Sequence, residues 1–400
     1  MKSVRNELDE KGPGILVTLT VLVISSLTIM ANATIAPSLP GLAVYFRGIP
    51  QIETLQGLIV SLPSLAIILT ATFFGLMAER FGRKPILMVS LLLYAIGGST
   101  GLFVNDMTSL LIGRVVLGVG VSGTMTVATM LAADLWTGQA RVKFMGKQAA
   151  IMNLGGVVFL LLGGLLAEYS WRGSFGIYLL AIPVMILVWY GIKEEPKKKN
   201  EVKKPKIPLD WPICLKIGLL GFFTMVVFYL IPIELPFLLK TIGIDSTTIS
   251  GLAIGSVTLA SVVTAMNFQR IRNYLNPVAI YAVSFFLMAI GYFTISNAVV
   301  LPQIFLGGMF VGFGLGGIMP NQNNWLMESI HPETRGRAAG ILTSFVFTGQ
   351  FASPLISGAI KAVTPIAIFS SFAIGLCIMT VFMLPTAIKK PQLKGVEDTL

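Results

Sequence analysis

Twelve apolar runs of about 20 residues or more, separated by short polar or charged stretches, account for most of this 400-residue chain. Coiled as a helix, a run of that length crosses the ~30 Å hydrocarbon core of a bilayer. In lipid every backbone N–H and C=O must find a partner within the protein, so repeated runs of this kind predict an all-α polytopic membrane fold. The spans are read at 14–37, 54–78, 86–104, 108–132, 144–168, 173–193, 211–238, 247–268, 277–296, 300–327, 338–361 and 365–387. Composition agrees: 54% of residues are hydrophobic, 12% are charged, and the mean hydropathy is +0.82. About a quarter of a soluble chain is charged.

The net charge of +11 does not point to nucleic acid, because the basic residues punctuate apolar runs instead of forming a basic face laced with aromatics. With the N-terminus inside, the cytoplasmic side collects Lys2, Arg5, Lys11, Arg80, Arg83, Lys84, Arg141, Lys143, Lys147, the linker lysines, Lys216, Arg270, Arg272, Arg335, Arg337, Lys389, Lys390 and Lys394. The other side receives Arg47, Arg172, Lys240 and Lys361. This asymmetry places both termini in the cytoplasm. One histidine, His331, excludes a histidine relay and a multi-histidine metal site. Cys214 and Cys377 are read as buried, unpaired helix residues without metal-ligand spacing, so neither a metal nor a cofactor is expected. The run from Gly14 to Ala36 is long enough to span and is not read as a cleavable signal.

A charged, proline-bearing stretch within 193–210 lacks apolar periodicity and is read as a cytoplasmic linker between two halves, 1–192 and 211–400. The halves repeat. At an offset of 194, Gly113, Gly118, Gly120, Gly123, Gly146, Gly155 and Gly164 fall on Gly307, Gly312, Gly314, Gly317, Gly340, Gly349 and Gly358. Asp134 falls on Glu328 at the same offset, and at 192 Arg80 falls on Arg272 and Pro85 on Pro277. A duplicated six-span unit accounts for this pattern.

Between spans two and three stands Gly75-Leu76-Met77-Ala78-Glu79-Arg80-Phe81-Gly82-Arg83-Lys84-Pro85. It resembles the G-x-L-A-D-R-x-G-R-K-P signature of the major facilitator superfamily, with Glu79 in place of Asp. The resemblance implies two six-helix bundles related by a pseudo-two-fold axis along the membrane normal, around a central cavity. It also implies that Gly75, Glu79, Arg80, Gly82, Arg83 and Lys84, with Asp134 at the end of span four, form a conformational gate. Glu79 can pair with Arg83 or with a cation from a neighbouring loop. The second half keeps Arg270, Arg272 and Glu328 without the glycine pattern, so its lock is expected to be weaker or absent.

Four residues are candidates for a substrate or coupling cavity. Arg114, two turns into span four, resembles the span-four arginine of proton-coupled exporters; the alternative is an arginine reaching the headgroups or pairing with Asp106. Asn32 stands where many exporters carry an acid in span one. Glu234, between Pro232 and Pro236 in span seven, is either a proton carrier or a wet rim carboxylate. Asn321 opens the amide run Asn321-Gln322-Asn323-Asn324, which is either an inner polar gate or the tail of a span ending at Met319. Glu53, Glu168 and Asp245 are read as outer-loop residues.

Gly155, Gly163 and Gly164 in span five keep the flanking glycines of an antiporter motif but lack its central Gly-Pro. Span eleven carries Gly349, Pro354 and Gly358, with Pro354 the expected hinge. No catalytic constellation stands at membrane depth, so an enzyme is not expected. The expectation is a secondary transporter in a prokaryotic-type plasma membrane, working as a monomer and exporting a small organic solute against protons. The alternatives are an importer or uniporter of a metabolite and, further off, a transporter-like sensor.

Overall fold

The computed structural model describes residues 13–192, 208–364 and 367–387, and among them every regular element is helical. The linker residues 193–207 and both chain ends lie outside the described residues. The helices are α1 Ile15–Ala33, α2 Leu39–Tyr45, α3 Ile52–Phe81, α4 Arg83–Ser99, α5 Met107–Leu135, α6 Gly138–Tyr169 and α7 Ala181–Gly191. After the linker come α8 Trp211–Phe228, α9 Leu230–Thr241, α10 Thr247–Met266, α11 Phe268–Tyr274, α12 Pro277–Ser296, α13 Leu301–Ser329, α14 Arg335–Val363 and α15 Ile368–Ala387. Among the described residues, eleven segments are long and apolar enough to cross a membrane, and α1 adds a shorter apolar stretch, Ile15–Ile29. At about 1.5 Å per residue, the 30-residue α3 is ~45 Å long and outruns the hydrocarbon core, so its ends reach the polar zones.

Proline decides where several spans break. Span seven, read at 211–238 with irregular backbone around its two prolines, divides at Tyr229 into α8 and α9. Pro232 has no N–H for the Phe228 carbonyl four residues back, and its ring crowds that carbonyl, so the ladder fails there. Span one stops at Ala33 for the same reason: Pro37 cannot bond the Ala33 carbonyl, and the chain tightens into a 3₁₀ turn, Ala36–Ser38. Span six begins with a 3₁₀ stretch, Gly173–Leu180, before α7. Span ten does not end at Met319; α13 continues through the amide run to Ser329. Cys214 is buried and Cys377 is exposed, which corrects the expectation that both would be covered; both are free thiols.

By packing, the described residues form two compact units. The first takes the described part of Met1–Lys206 together with Tyr229–Gly255 and Val346–Gly358; the second takes the described parts of Ile207–Phe228, Ser256–Phe345 and Ala359–Leu400. In the first unit α5 packs along α3 and α4, and α1 along α6. In the second, α12 packs along α13 and α15.

The sequence repeat is a packing repeat. A Cβ on Gly118 would meet Pro63 O and Ala66 Cβ, while one on Gly312 would meet Val257 O and Ala260 Cβ, the same partners displaced by 194 residues. Gly123 and Gly317 likewise sit over the hydroxyls of Ser90 and Ser284. Small residues let these backbones approach closely where lipid gives no hydrophobic drive for helices to associate. Tyrosine ties complete each set: the Tyr94 hydroxyl donates to Leu27 O at 2.8 Å, and Tyr292 donates to Val227 O at 2.7 Å.

Candidate functional site

The hairpin between α3 and α4 turns on Gly82, whose φ of 101° and ψ of 161° fall in a region that only glycine occupies without strain. That single residue swings Arg83 back under α3. Its Nη1 donates to Ala78 O at 3.1 Å, while Nε and Nη2 approach Asp134 Oδ2 at 3.1 and 3.0 Å. Lys84 donates to Trp189 O at 2.6 Å and lies 4.8 Å above that indole, fixing the hairpin to the end of α7. Glu79 and Arg80 are exposed. Arg80 lies 5.3 Å over Phe81, and Glu79 makes no ion pair among the described residues, so Asp134 is the partner of Arg83. A Cβ on Gly75 would reach only ordinary contact with Thr126, at 3.8 Å.

The second half carries a counterpart. Arg272 Nη2 sits 3.0 Å from Glu328 Oε2, and its Nη1 donates to Leu275 O at 3.2 Å. The expectation was of a weaker or absent second lock; the ion pair itself is present. Arg272 and Glu328 keep both partners of the chemistry although the glycine pattern around them is gone. The Asp134–Glu328 match at offset 194 was the signal in the sequence.

Arg114 lies wholly inside the first unit, 0% exposed. Nη2 donates to Gly98 O at 2.9 Å and Nη1 to Tyr178 Oη at 3.1 Å. The guanidinium stands 4.9 Å from the Phe175 ring centre and 4.8 Å from that of Tyr178. Tyr178 in turn donates to Ala31 O at 2.9 Å. Arg114 Nε has no hydrogen-bond partner, and no carboxylate forms a salt bridge with the group among the described residues. Asp106 is engaged elsewhere, accepting from Ser109 N at 2.7 Å as the N-cap of α5, and that bond holds its carboxyl below the usual carboxylate range. The charge is therefore held by π faces and neutral oxygens alone. Sequence reasoning picked out Arg114 but missed Phe175 and Tyr178, which reach it from the 3₁₀ stretch before α7.

At the opposite end of the spans from the hairpin, the first unit contains segments from both halves of the sequence. The α9 helix packs on residues 36–45 and on α3. Glu234 is 8% exposed there, with Ser357 Oγ at 3.5 Å from Oε1. Gly57 is so close to Pro354 that an added Cβ would overlap the pyrrolidine. Ser64 donates to Gln350 Oε1 at 2.8 Å. Glu168, expected as a plain loop residue, accepts from Ser246 Oγ at 2.6 Å and from Thr247 N at 3.1 Å, capping the start of α10 with a negative charge.

Gly163 sits against Thr34 O, Gly164 has Thr247 O at 2.6 Å from the Cβ position, Gly155 has Ser26 Cβ at 3.0 Å, and Gly358 has Thr54 Oγ1 at 3.3 Å. Gly349 is buried on α14. Asn32 lies on α1, and its side chain is outside the described residues.

Asn321 belongs to the second unit, 0% exposed, and donates from Nδ2 to Pro277 O at 2.9 Å, while its Oδ1 is unpartnered. Gln322 Oε1 is likewise buried and unpartnered. Asn324 donates to Glu328 Oε1 at 2.8 Å and so supports the second ion pair.

A bundle of long apolar helices, stitched by glycine crossings and carrying one arginine–carboxylate pair near helix ends in each half of the sequence, defines a polytopic membrane protein of duplicated design. The sequence profile of the Major Facilitator Superfamily matches residues 21–218 and again residues 217–398, and the chain belongs to that superfamily. It is 24% identical over 346 residues to the quinolone resistance protein NorA of Staphylococcus aureus (strain MRSA252), covering 80% of this chain and 84% of that protein. It is 24% identical over 306 residues to the sialic acid transporter NanX of Escherichia coli (strain K12), covering 71% and 73%. In fold it resembles a D-xylose–proton symporter, with a TM-score of 0.74 at 18% identity over 92% of this chain and 96% of that one. A point mutant of the nucleoside transporter NupG gives 0.75 at 9% identity, over 92% and 98%.

Proposed function

We propose that this transporter exports a small organic solute by alternating access, driven by protons that re-enter through Glu234. Glu234 is the observation that carries the reading. It is a carboxylate 8% exposed, on a helix interrupted by proline, beside Ser357 and the Gly57–Pro354 contact. Opening and closing this end would bring the carboxylate alternately to water and to protein, which is the alternation a proton carrier needs. The name of NorA supports export. In the same reading both termini face the cytoplasm, the membrane is a prokaryotic plasma membrane, and the monomer is the working unit.

The experiment is reconstitution under an imposed pH gradient, with candidate compounds screened for substrate-evoked proton movement. Glu234→Gln is expected to abolish that movement and to leave substrate exchange in place. Proton movement unchanged by the substitution removes Glu234 as the carrier, and substrate transport without any proton movement removes the coupling. Asn32, standing where exporters carry a span-one acid, favours a second reading of metabolite import, with NanX as the relative on that side. Uptake rather than extrusion in oriented vesicles would select it.

The gate is assigned to the hairpin with Arg83 and Asp134, and Pro354 to the hinge. The Arg83–Asp134 side chains are 29% and 44% exposed. A pair so open to solvent is worth roughly 0.2–1 kcal/mol. Arg83→Ala is therefore expected to shift the resting population towards the inward-facing state by no more than about five-fold. Distance distributions between spin labels on the two halves measure it; a population that does not move removes the pair from the gate.

A further inference from the structure

We infer that the second unit holds a specific site for an anionic phospholipid, in a cavity of about 400 Å³ that the transport reading does not use. Its walls come from the start of α8, the start of α12, the last turns of α13 and the end of α15, so it lies at the end of this unit that carries Arg272 and Glu328. The lining is apolar, with Phe223, Phe382 and Met383 among it, and Phe382 is 78% exposed. On a membrane-spanning helix such an exposed apolar side chain meets acyl chains, so the cavity opens on the lipid-facing surface.

Three polar features give the cavity a head as well as a tail. Lys216 is the charged residue in the lining; no acid lines it, and its ammonium stands 5.1 Å over the ring of Trp325. Tyr281 also lines the cavity, is 0% exposed, and has a hydroxyl with no hydrogen-bond partner. A buried hydroxyl without a partner is costly, and an acceptor oxygen would satisfy it. Trp211, five residues before Lys216 and 60% exposed, marks the headgroup level, where indoles concentrate. One cation, one unfilled donor and a hydrocarbon-lined slot near a helix end complement a phosphate ester bearing an acyl chain. Basic pockets between spanning helices hold anionic headgroups by this chemistry.

Trp325 reports on occupancy. The test uses a full-length variant in which Trp136, Trp171, Trp189 and Trp211 are replaced by Phe, reconstituted in phosphatidylcholine vesicles. The vesicles are doped with brominated phosphatidylglycerol or with brominated phosphatidylcholine at equal mole fraction. Brominated phosphatidylglycerol is expected to quench Trp325 at an about five-fold lower mole fraction. Lys216→Gln should erase that preference, Lys216→Arg should keep it, and Tyr281→Phe should reduce it. Native mass spectrometry of the otherwise unaltered protein gives a second readout: retained phosphatidylglycerol lost on Lys216→Gln and kept in Lys216→Arg. Equal quenching by the two lipids, a preference that survives Lys216→Gln, or no quenching by either lipid would each overturn the assignment.

Discussion

Arg114→Met is expected to stop transport while moving the thermal midpoint by only a few degrees, an outcome that would separate a transport role from a packing role. Two opposing effects set the expectation. Removing the guanidinium loses charge-assisted hydrogen bonds to Gly98 O and Tyr178, about 1.5–3 kcal/mol each, and stacking on Phe175 and Tyr178, about 1–2 kcal/mol each. It also removes a buried charge that no carboxylate compensates, whose desolvation costs several kcal/mol. Tyr178 keeps its bond to Ala31 O, so its hydroxyl is not stranded. A methionine fills most of the volume, so the net change is much smaller than the sum of the lost contacts. Arg114→Ala leaves the volume empty as well and is expected to cost about 3 kcal/mol more than Arg114→Met. Transport by the reconstituted Met variant at the wild-type rate would make Arg114 a packing residue. A collapse in its thermal midpoint as large as that of the Ala variant would mean that the aromatic cage depends on the cation.

Gly57→Ala is expected to open the end opposite the hairpin rather than to unfold the chain. The new methyl would overlap Pro354, which belongs to α14 and can retreat only by separating α14 from α3. Overpacking of this kind costs roughly 1–3 kcal/mol, a five- to 150-fold change in the balance between closed and open forms. Gly97→Ala supplies the contrast. Its methyl would meet the backbone of α5 at Leu117 N and Gly113 O, between helices α4 and α5 that pack along one another within one half of the sequence. There the same cost is expected to appear as a lower thermal midpoint, with no change in the open population. Spin labels at the exposed Gln51 and Lys240 read the opening. Unchanged distances in Gly57→Ala, or an equal loss of thermal stability in both variants, would sink the distinction.

Much of the architecture was legible in the chain because lipid removes alternatives. An apolar run of that length must be a helix, and the offset of 194 between glycines already implied that the crossings would repeat, as Gly118 with Ala66 and Gly312 with Ala260 do. The prolines around Glu234 already pointed to irregular backbone in span seven, whereas span one, read to residue 37, ends as a helix at Ala33. Less of the site was legible. Arg114 and Glu234 stood out as charges in apolar runs, but their surroundings did not. Phe175 and Tyr178 reach Arg114 across more than 60 positions, and Ser357 reaches Glu234 across 123. Glu168 looked like a loop acid until Ser246 and Thr247 came to it.

The sequence by itself determined which segments cross the membrane, that they come as a duplicated set, and which charges the bilayer would make expensive. These follow from local hydropathy and backbone satisfaction, which depend only on a segment and its solvent. The tertiary structure alone decided the pairings: that Arg83 takes Asp134 and leaves Glu79 free of an ion pair among the described residues, that Arg272 and Glu328 form a second pair of the same length, and that Arg114 rests on rings instead of a carboxylate. A pairing depends on which helices come within a few ångströms of each other. That distance is set by glycines and prolines at crossings, not by the charges themselves.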